Sequence, residues 1–549
     1  MLIRYRVSRL DRQPPLDKAQ MPRHRLREAA TLILQVLRQE MVSWTKDKRF
    51  NQMPTPSRKN WKGEALLLLA LFAGTPASQA DTYQFEVNSE LAVSPQRKID
   101  SSTIKNFAGA SGKAEIISRE AEPVWKPPQK GNLTVSTGSD ALLVKSSEYT
   151  RLYDFKNKKV FDLDSANKTF SSHSLFGELA FRNAELRNRI FLSEMMGNVF
   201  KGKKPGTYFD KFYSEEMFSL CIPEKNSGYK VNKTKQGSED VYSYNGTIVS
   251  SFLPAAALLP ADKRRQFSRY LIYATHLHPN IRMDIEKSGK IPQKLMVYLD
   301  NRPVSKERKT LVLKNLSAGN FSASVPDGYK AKLENDNPLS KVYARIEELG
   351  GKPAADLEER TLEYFQNAVD KKNYFDALLA ITEYGLQTGE NLSAKTTMQI
   401  KAELKNDPDC QKFFGGLNTP ENEEQAKLCL GSLDMIDRSK SPKSYLVDIF
   451  RANLLIKMNE MGIHDPQTSQ EKDPTKAFLS VLQNNPFIAG VYHDLGNWLE
   501  RSYQHVFAWD CYDLARKFYP DHPFMQEIKE KEEALSSQFP QFISGDKIQ

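Results

Sequence analysis

The sequence predicts an α+β multidomain protein: an N-terminal antiparallel β-rich domain with covering helices, followed by a C-terminal all-α array of helical hairpins. Three observations predict it. At 549 residues the chain exceeds what one hydrophobic core fills. Apolar residues alternate with period two after Asp81, as in Tyr83, Phe85 and Val87, which is the pattern of half-buried strands. After the Pro326-Asp327-Gly328 turn, and certainly by Pro338, the spacing becomes helical and stays so. The expected division is therefore a leader over 1–80, a β-rich domain over 81–337 and a helical domain over 338–549.

The leader explains the charge. Net charge is +10 at pH 7, but residues 1–80 hold 15 Lys and Arg against 6 Asp and Glu, leaving 63 of the 78 basic and 62 of the 68 acidic residues to the rest. A nearly neutral remainder lacks the basic footprint of a nucleic-acid binder. Arg58, Lys59 and Lys62 precede an apolar run from Ala65 to Ala73, and Gly74, Pro76 and Ser78-Gln79-Ala80 follow. That is the order of a secretory signal peptide over about residues 53–80, with cleavage expected after Ala80. The apolar run is too short for a bilayer, which needs roughly twenty residues. An uncleaved anchor and a buried core segment are the alternatives. The residues before Met53 leave two readings: a start at Met53, or a retained segment in which Leu26 to Leu37 form a basic amphipathic helix on a membrane surface. No Cys follows the apolar run, so the lipid-attachment signature of a bacterial lipoprotein is missing. The mature chain is expected outside the cytoplasm, periplasmic or secreted, in association with the envelope and without a transmembrane span.

Within the β-rich part, Leu133, Val135 and the run Ala141 to Val144 read as strands after a Pro-rich break at Pro123, Pro127 and Pro128. Tyr149, Arg151, Tyr153 and Phe155 share one strand face, Lys156-Asn157-Lys158 turns, Val160, Phe161 and Leu163 return, and Ser165 to Lys168 turn again. Asn at these turns suits a left-handed backbone. Leu175, Leu179, Leu186, Ile190 and Met195 predict a covering helix over Leu175 to Val199. Strands return at Val231, Val241 to Val249 and Lys294 to Leu299, with Asn245-Gly246 as a hairpin turn, and Arg264 to Ala274 is helical. Phe252 to Leu259, holding Pro254 and followed by Pro260, reads as a buried loop or short helix.

The run from Leu152 to Phe170 resembles the strands of bacterial lipoprotein-sorting or lipoprotein-carrier-like domains, through strand rhythm rather than a diagnostic motif. The resemblance implies a curved sheet whose concave face accepts lipid or acyl chains, with Tyr149, Tyr153 and Phe155 as candidate ligand contacts. The competing reading makes them core residues under a covering helix, because aromatic stripes usually fill cores.

In the helical part, Leu362, Phe365, Ala368 and Val369, then Tyr374, Ala377, Leu378, Ile381 and Tyr384, predict a hairpin around Lys371-Lys372-Asn373. Tyr445 to Met458 and Thr475 to Leu482 add two helices. From Asn485 to Pro520, Tyr492, Leu495, Gly496 and Leu499 follow W-x2-L-G-x2-Y with conservative changes, and Ala508, Tyr512 and Pro520 supply A-x3-F and a terminal Pro. This stretch resembles a tetratricopeptide repeat. The resemblance implies a hairpin that stacks on neighbours and grips a protein partner, with His493, Asn497 and Glu500 on the first helix as candidate contacts. They are spaced i, i+4, i+7, away from the apolar stripe; a merely solvated face is the alternative.

Chemistry-bearing patterns are few. His276 and His278 form the one close histidine pair and lack a third metal ligand nearby. There is no GxSxG, phosphate-binding glycine loop, HExxH or Cys-His arrangement. Cys410 and Cys429 share a polar insertion where either a bridge or two free thiols is open, and Cys511 reads as core filling. No cofactor and no metal are expected. The sequence thus favours a non-catalytic exported binding or scaffold protein, with a protein partner on the helical repeats and an apolar or lipid ligand on the β domain. An exported enzyme with a site between the domains, signalled by His276, His278 and carboxylates converging, and a purely structural envelope protein remain the alternatives.

Overall fold

The computed structural model describes residues 78–93, 124–199, 210–221, 229–258, 260–301, 305–321, 324–332, 337–390, 392, 396, 400–463 and 474–543. The expected signal segment through residue 77 and the stretch Leu26 to Leu37 lie outside these residues. The chain is α+β, and it forms two compact units. The β unit runs to Ser340 and includes residues 505–513 and the stretch from Pro523 onward, while the helical unit comprises 341–504 and 514–522.

The β unit is built on one sheet. Its strands are β1 (Ser78–Val93), β2 (Val124–Trp125), β3 (Gln129–Thr137), β4 (Ala141–Lys145), β5 (Thr150–Asp154), β6 (Lys159–Asp164) and β7 (Thr169–Ser174). They continue with β8 (Asn232–Gln236), β9 (Glu239–Tyr244), β10 (Thr247–Leu258), β11 (Lys290–Asn301), β12 (Ser305–Phe321) and β13 (Lys330–Ala331). The order across the sheet is β13-β7-β6-β5-β4-β3-β1-β12-β11-β10-β9-β8, with β2 paired to β1. Pairing is antiparallel throughout, apart from the parallel β13–β7 edge.

Local chemistry sets the hairpins. Asn245 and Gly246 both have positive φ, 48° and 80°, as a tight two-residue turn between β9 and β10 requires. In the β5–β6 and β6–β7 turns the left-handed residues are Lys158 and Lys168 rather than the neighbouring asparagines. Asn157 and Asn167 instead reach back to the aspartates three residues earlier: Asn157 Nδ2 donates to Asp154 at 2.7 Å and Asn167 Nδ2 to Asp164 at 2.6 Å. Phe252 to Leu258 belongs to β10 and is not a loop or short helix. Pro254 is accommodated because the pairing with β11 shifts register on either side of it, so its missing N–H falls at an irregularity.

Cross-strand partners share a face, so the register separates two apolar layers. On one face stand Tyr83 opposite Val135, Phe85 opposite Leu133, and Leu142 opposite Tyr153, itself opposite Val160. On the other, Ala141, Leu152, Phe161 and Leu163 pack with Leu143 and Phe170 beneath Phe321, Val325 and Tyr329. Four helices of this unit are α1 (Leu175–Val199), α2 (Lys211–Phe218), α3 (Ala261–Ala274) and α4 (Pro279–Ser288). Phe267, Tyr270, Leu271 and Ala274 recur at i, i+3, i+4 and i+7 along α3, and its rings cover the first face.

The helical unit begins with α5 (Ser340–Glu348), whose first residue groups with the sheet, and the hairpin of α6 (Leu357–Asp370) and α7 (Tyr374–Thr388). Lys372 supplies the left-handed turn (φ 57°) and Asn373 caps α7, accepting from the N–H of Asp376. Then come α8 (Lys401–Asn406), α9 (Pro408–Gly416), α10 (Glu423–Asp434), α11 (Val447–Met461), α12 (Thr475–Asn484) and α13 (Ala489–Arg501). The core is aromatic where Phe413 meets Phe375 and, edge-on at 5.0 Å, Phe450. Gly490 is small because a Cβ there would stand 3.0 Å from the carbonyl of Leu386 in α7. Helix α14 (His505–Phe518) gives its first nine residues to the β unit, as do α15 (Met525–Gln538) and α16 (Pro540–Ile543). Among the described residues no helix is long and apolar enough to cross a membrane.

Candidate functional site

Strand β5 and the residue after it place two of the three predicted ligand contacts inside an aromatic layer. Tyr153 and Phe155 are buried, and both pack on Tyr273 of α3, with ring centres 4.6 and 5.5 Å apart. Phe267 lies 4.9 Å from Tyr83, and Tyr270 stacks on Phe85 at 6.1 Å, so α3 packs along the layer. Arg269 covers Phe155 from outside at 4.2 Å. Tyr149, the residue before β5, is 40% exposed.

An arginine fastens this arrangement. Arg182 on α1 is buried; Nη1 donates to the carbonyls of Phe218 and Ile272, and Nη2 to that of Tyr273. These carbonyls lie at the C-terminal ends of α2 and α3, where acceptors lack intrahelical partners and a cation is favoured. Glu178 balances the charge at 2.5 Å. Burial alone would push its carboxyl up, but Arg182 and His173 hold it well below the usual carboxylate range.

The histidine pair does not converge. His276, left-handed at φ 49°, directs Nδ1 to the carbonyl of Met217 at 2.6 Å. His278 is fully buried and caps α4: its Nδ1 accepts the N–H of Asn280 at 3.2 Å, with Pro279 opening the helix. The neutral ring therefore carries its proton on Nε2, which lies 2.9 Å from the Tyr229 hydroxyl and 3.4 Å from Glu215 Oε2. Phe212 stacks on the imidazole at 4.4 Å, and burial lowers its pKa although Glu215 opposes this. Glu215, also fully buried, is hydrogen-bonded by Tyr229 and accepts from Cys221 Sγ at 3.5 Å. Burial, then Glu215, pushes the Cys221 thiol up to about 12, so it is a protonated donor at neutral pH and not a nucleophile. The neighbouring Glu216 is buried too, and burial with Asp300 nearby raises its carboxyl well above the ordinary range. Among the described residues no group of three His, Cys, Asp or Glu is placed to hold a metal ion.

On α13, Tyr492, Leu495 and Leu499 are wholly buried while His493, Asn497 and Glu500 are half-buried on another side. His493 pairs with Asn497 through Nε2 at 3.2 Å and meets Asp494 at 3.3 Å. Ala508, Tyr512 and Gly496 are buried. All four cysteines are free, which settles Cys410 and Cys429 as separate thiols.

No family model matches the chain, and no curated protein does. A solved structure on lipid–protein interactions in lipovitellin matches 86% of this chain at 9% identity with a TM-score of 0.16. The match covers 56% of that chain, and a likeness so slight carries no argument about fold or ligand. The residues that local spacing missed are Arg182, Glu215 and Tyr229, whose partners lie far along the sequence; only His278 had a local sign, standing before Pro279 at a helix start.

Proposed function

We propose that this is an exported, non-catalytic binding protein of the cell envelope, whose β unit takes an apolar ligand and whose helical unit grips a protein partner. The observation that supports the ligand is the aromatic layer of Tyr83, Phe85, Tyr153 and Phe155, packed against helix α3, with Tyr149 exposed beside β5. Such rings bury roughly 150–250 Å² each, so an alkyl chain sliding beneath α3 substitutes for contacts that the helix gives up. A reaction at the Glu215–His278 cluster has less in its favour, since both side chains are fully buried and the Cys221 thiol is protonated. The export reading rests on the basic, apolar and Ser78-Gln79-Ala80 order of the leader.

Native mass spectrometry of the full chain with dodecanol and dodecanoate tests the ligand. A 1:1 complex, weakened when Tyr149→Asp places charge beside β5, is the expected result. Binding no stronger than to an unrelated β protein overturns the reading.

A further inference from the structure

Helices α3 and α4 and the start of β11 enclose a cleft walled by Phe267, Leu271, Ile285 and Ile291. Phe267 belongs to two places at once, lining this cleft and stacking on Tyr83 within the aromatic layer. Charge at the cleft is unbalanced. Among the described residues that line it are the cations Arg264 and Lys290 and one carboxylate, Glu286; Arg282 adjoins this lining, donating through Nη1 to Ser268 Oγ at 3.0 Å and to Glu286 at 3.3 Å.

Arg282 is 2% exposed, and its remaining edge, Nε with Nη2, has no hydrogen-bond partner among the described residues. That edge is a two-pronged oxyanion receptor. Arg151 uses the same two atoms to grip both oxygens of Asp162 at 2.6 and 2.9 Å. A buried guanidinium stays charged, and one corner on a half-exposed glutamate leaves it under-compensated. Burial accordingly pulls Arg282 below its ordinary value against the opposing effect of Glu286.

We propose that the Nε–Nη2 edge of Arg282 receives the anionic head, carboxylate or phosphate, of an amphiphile whose alkyl tail passes Phe267 into the aromatic layer. This rests on the apolar-ligand reading and specifies the ligand's polar end. Glu286 swings toward solvent as the head enters, leaving Ser268 Oγ free to donate to it, while Arg264 and Lys290 offset the added negative charge.

Calorimetric titration of the full chain with dodecanoate, dodecyl phosphate, dodecanol and inorganic phosphate decides it. Dodecanoate and dodecyl phosphate are expected to bind at least tenfold more tightly than dodecanol. Glu286→Gln should strengthen the carboxylate several-fold without changing dodecanol. Arg264→Gln, at a partly exposed position, should weaken it several-fold and guards against misfolding of Arg282→Gln, which should abolish the preference. Equal binding of dodecanoate and dodecanol overturns the head-group assignment while leaving an apolar site. Inorganic phosphate competing as well as dodecyl phosphate overturns the amphiphile in favour of a free anion. If none of the four binds, the apolar reading and the head-group assignment fall together.

Discussion

Asp510 accepts the backbone N–H of Ser174 at 3.2 Å, so a carboxylate from α14 binds the last residue of β7, just before α1 begins at Leu175. The two are 336 residues apart in sequence and both belong to the β unit. Ser174 ends β7 and directly precedes Leu175, the first residue of α1, so the carboxylate lies close to a helix N-terminus, where negative charge is favoured. The site is nonetheless deep: Asp510 is 3% exposed. Burial pushes its pKa from 3.8 to about 6; Lys159 and His173 pull it back, and Asp513 adds to the rise.

A pH dependence follows. The folded-state value lies above the unfolded one, so this group's contribution to stability is fully present below about pH 4 and is lost as pH rises through about 6. The loss is on the order of 2–3 kcal/mol. Asp510→Asn keeps an acceptor for Ser174 without the charge. Urea unfolding should therefore find the variant more stable than the parent at pH 7.5 and similar at pH 4. Parallel stability curves across that range would show that Asp510 does not titrate as described.

Two helical glycines should respond to alanine with opposite signs. A Cβ on Gly177 in α1 would lie 3.0 Å from Val506 Cα and 3.3 Å from Trp509 Cβ, whereas one on Gly431 in α10 meets nothing within 4 Å. Gly177→Ala should cost about 1–3 kcal/mol through overpacking, exceeding the gain in helix propensity. Gly431→Ala should stabilise by about 0.5–1 kcal/mol. Thermal melts of the pair check both signs.

Within the aromatic layer, stability and binding should separate. Phe155→Ala removes a buried ring that packs on Tyr273 and should cost about 3–5 kcal/mol. Tyr149→Ala, at an exposed position, should change stability little yet weaken a fluorescent fatty-acid probe. A Tyr149 variant that binds the probe like the parent removes that residue from the ligand path.

Sequence spacing located elements better than it located partners. Leu175 to Val199 was legible end to end because charged residues interrupt its apolar positions at helical intervals. Pro254 misled, because a proline reads as a breaker unless the neighbouring strand shifts register to absorb it. Arg182 and Arg282 carry no local sign of burial; it comes from long-range packing in the β unit, including the Phe542 ring 5.5 Å from the Arg182 guanidinium. Likewise, the repeat-like spacing around Ala508 and Tyr512 predicts a helix but not that its residues 505–513 group with the sheet. The Glu215–His278 contact joins residues 63 positions apart, beyond any local pattern.

Cys221 should be unreactive despite partial exposure. With the thiol pushed up to about 12, iodoacetamide at pH 8 should alkylate it at least a hundredfold more slowly in the native chain than after unfolding. Glu215→Gln removes the carboxylate acceptor and should speed the native reaction. Mass spectrometry of timed quenches reads both; equal native and unfolded rates would mean the Cys221–Glu215 hydrogen bond does not persist.

The protein-binding reading turns on α13. Replacing His493, Asn497 and Glu500 together by Ala breaks the His493–Asn497 hydrogen bond, worth about 1 kcal/mol. Ala's higher helix propensity returns roughly 0.5 kcal/mol at each of several positions. These effects nearly cancel, so the melting temperature should stay close to the parent's. Gly490→Leu is the contrasting change: its side chain would drive into the Leu386 carbonyl 3.0 Å away and should unfold the helical unit. If α13 lines a peptide groove, the triple-Ala chain remains folded and loses a partner that cross-links to the parent in native cells. Should the triple variant cross-link the same partner with the same yield, His493, Asn497 and Glu500 are a solvated face and the groove lies elsewhere.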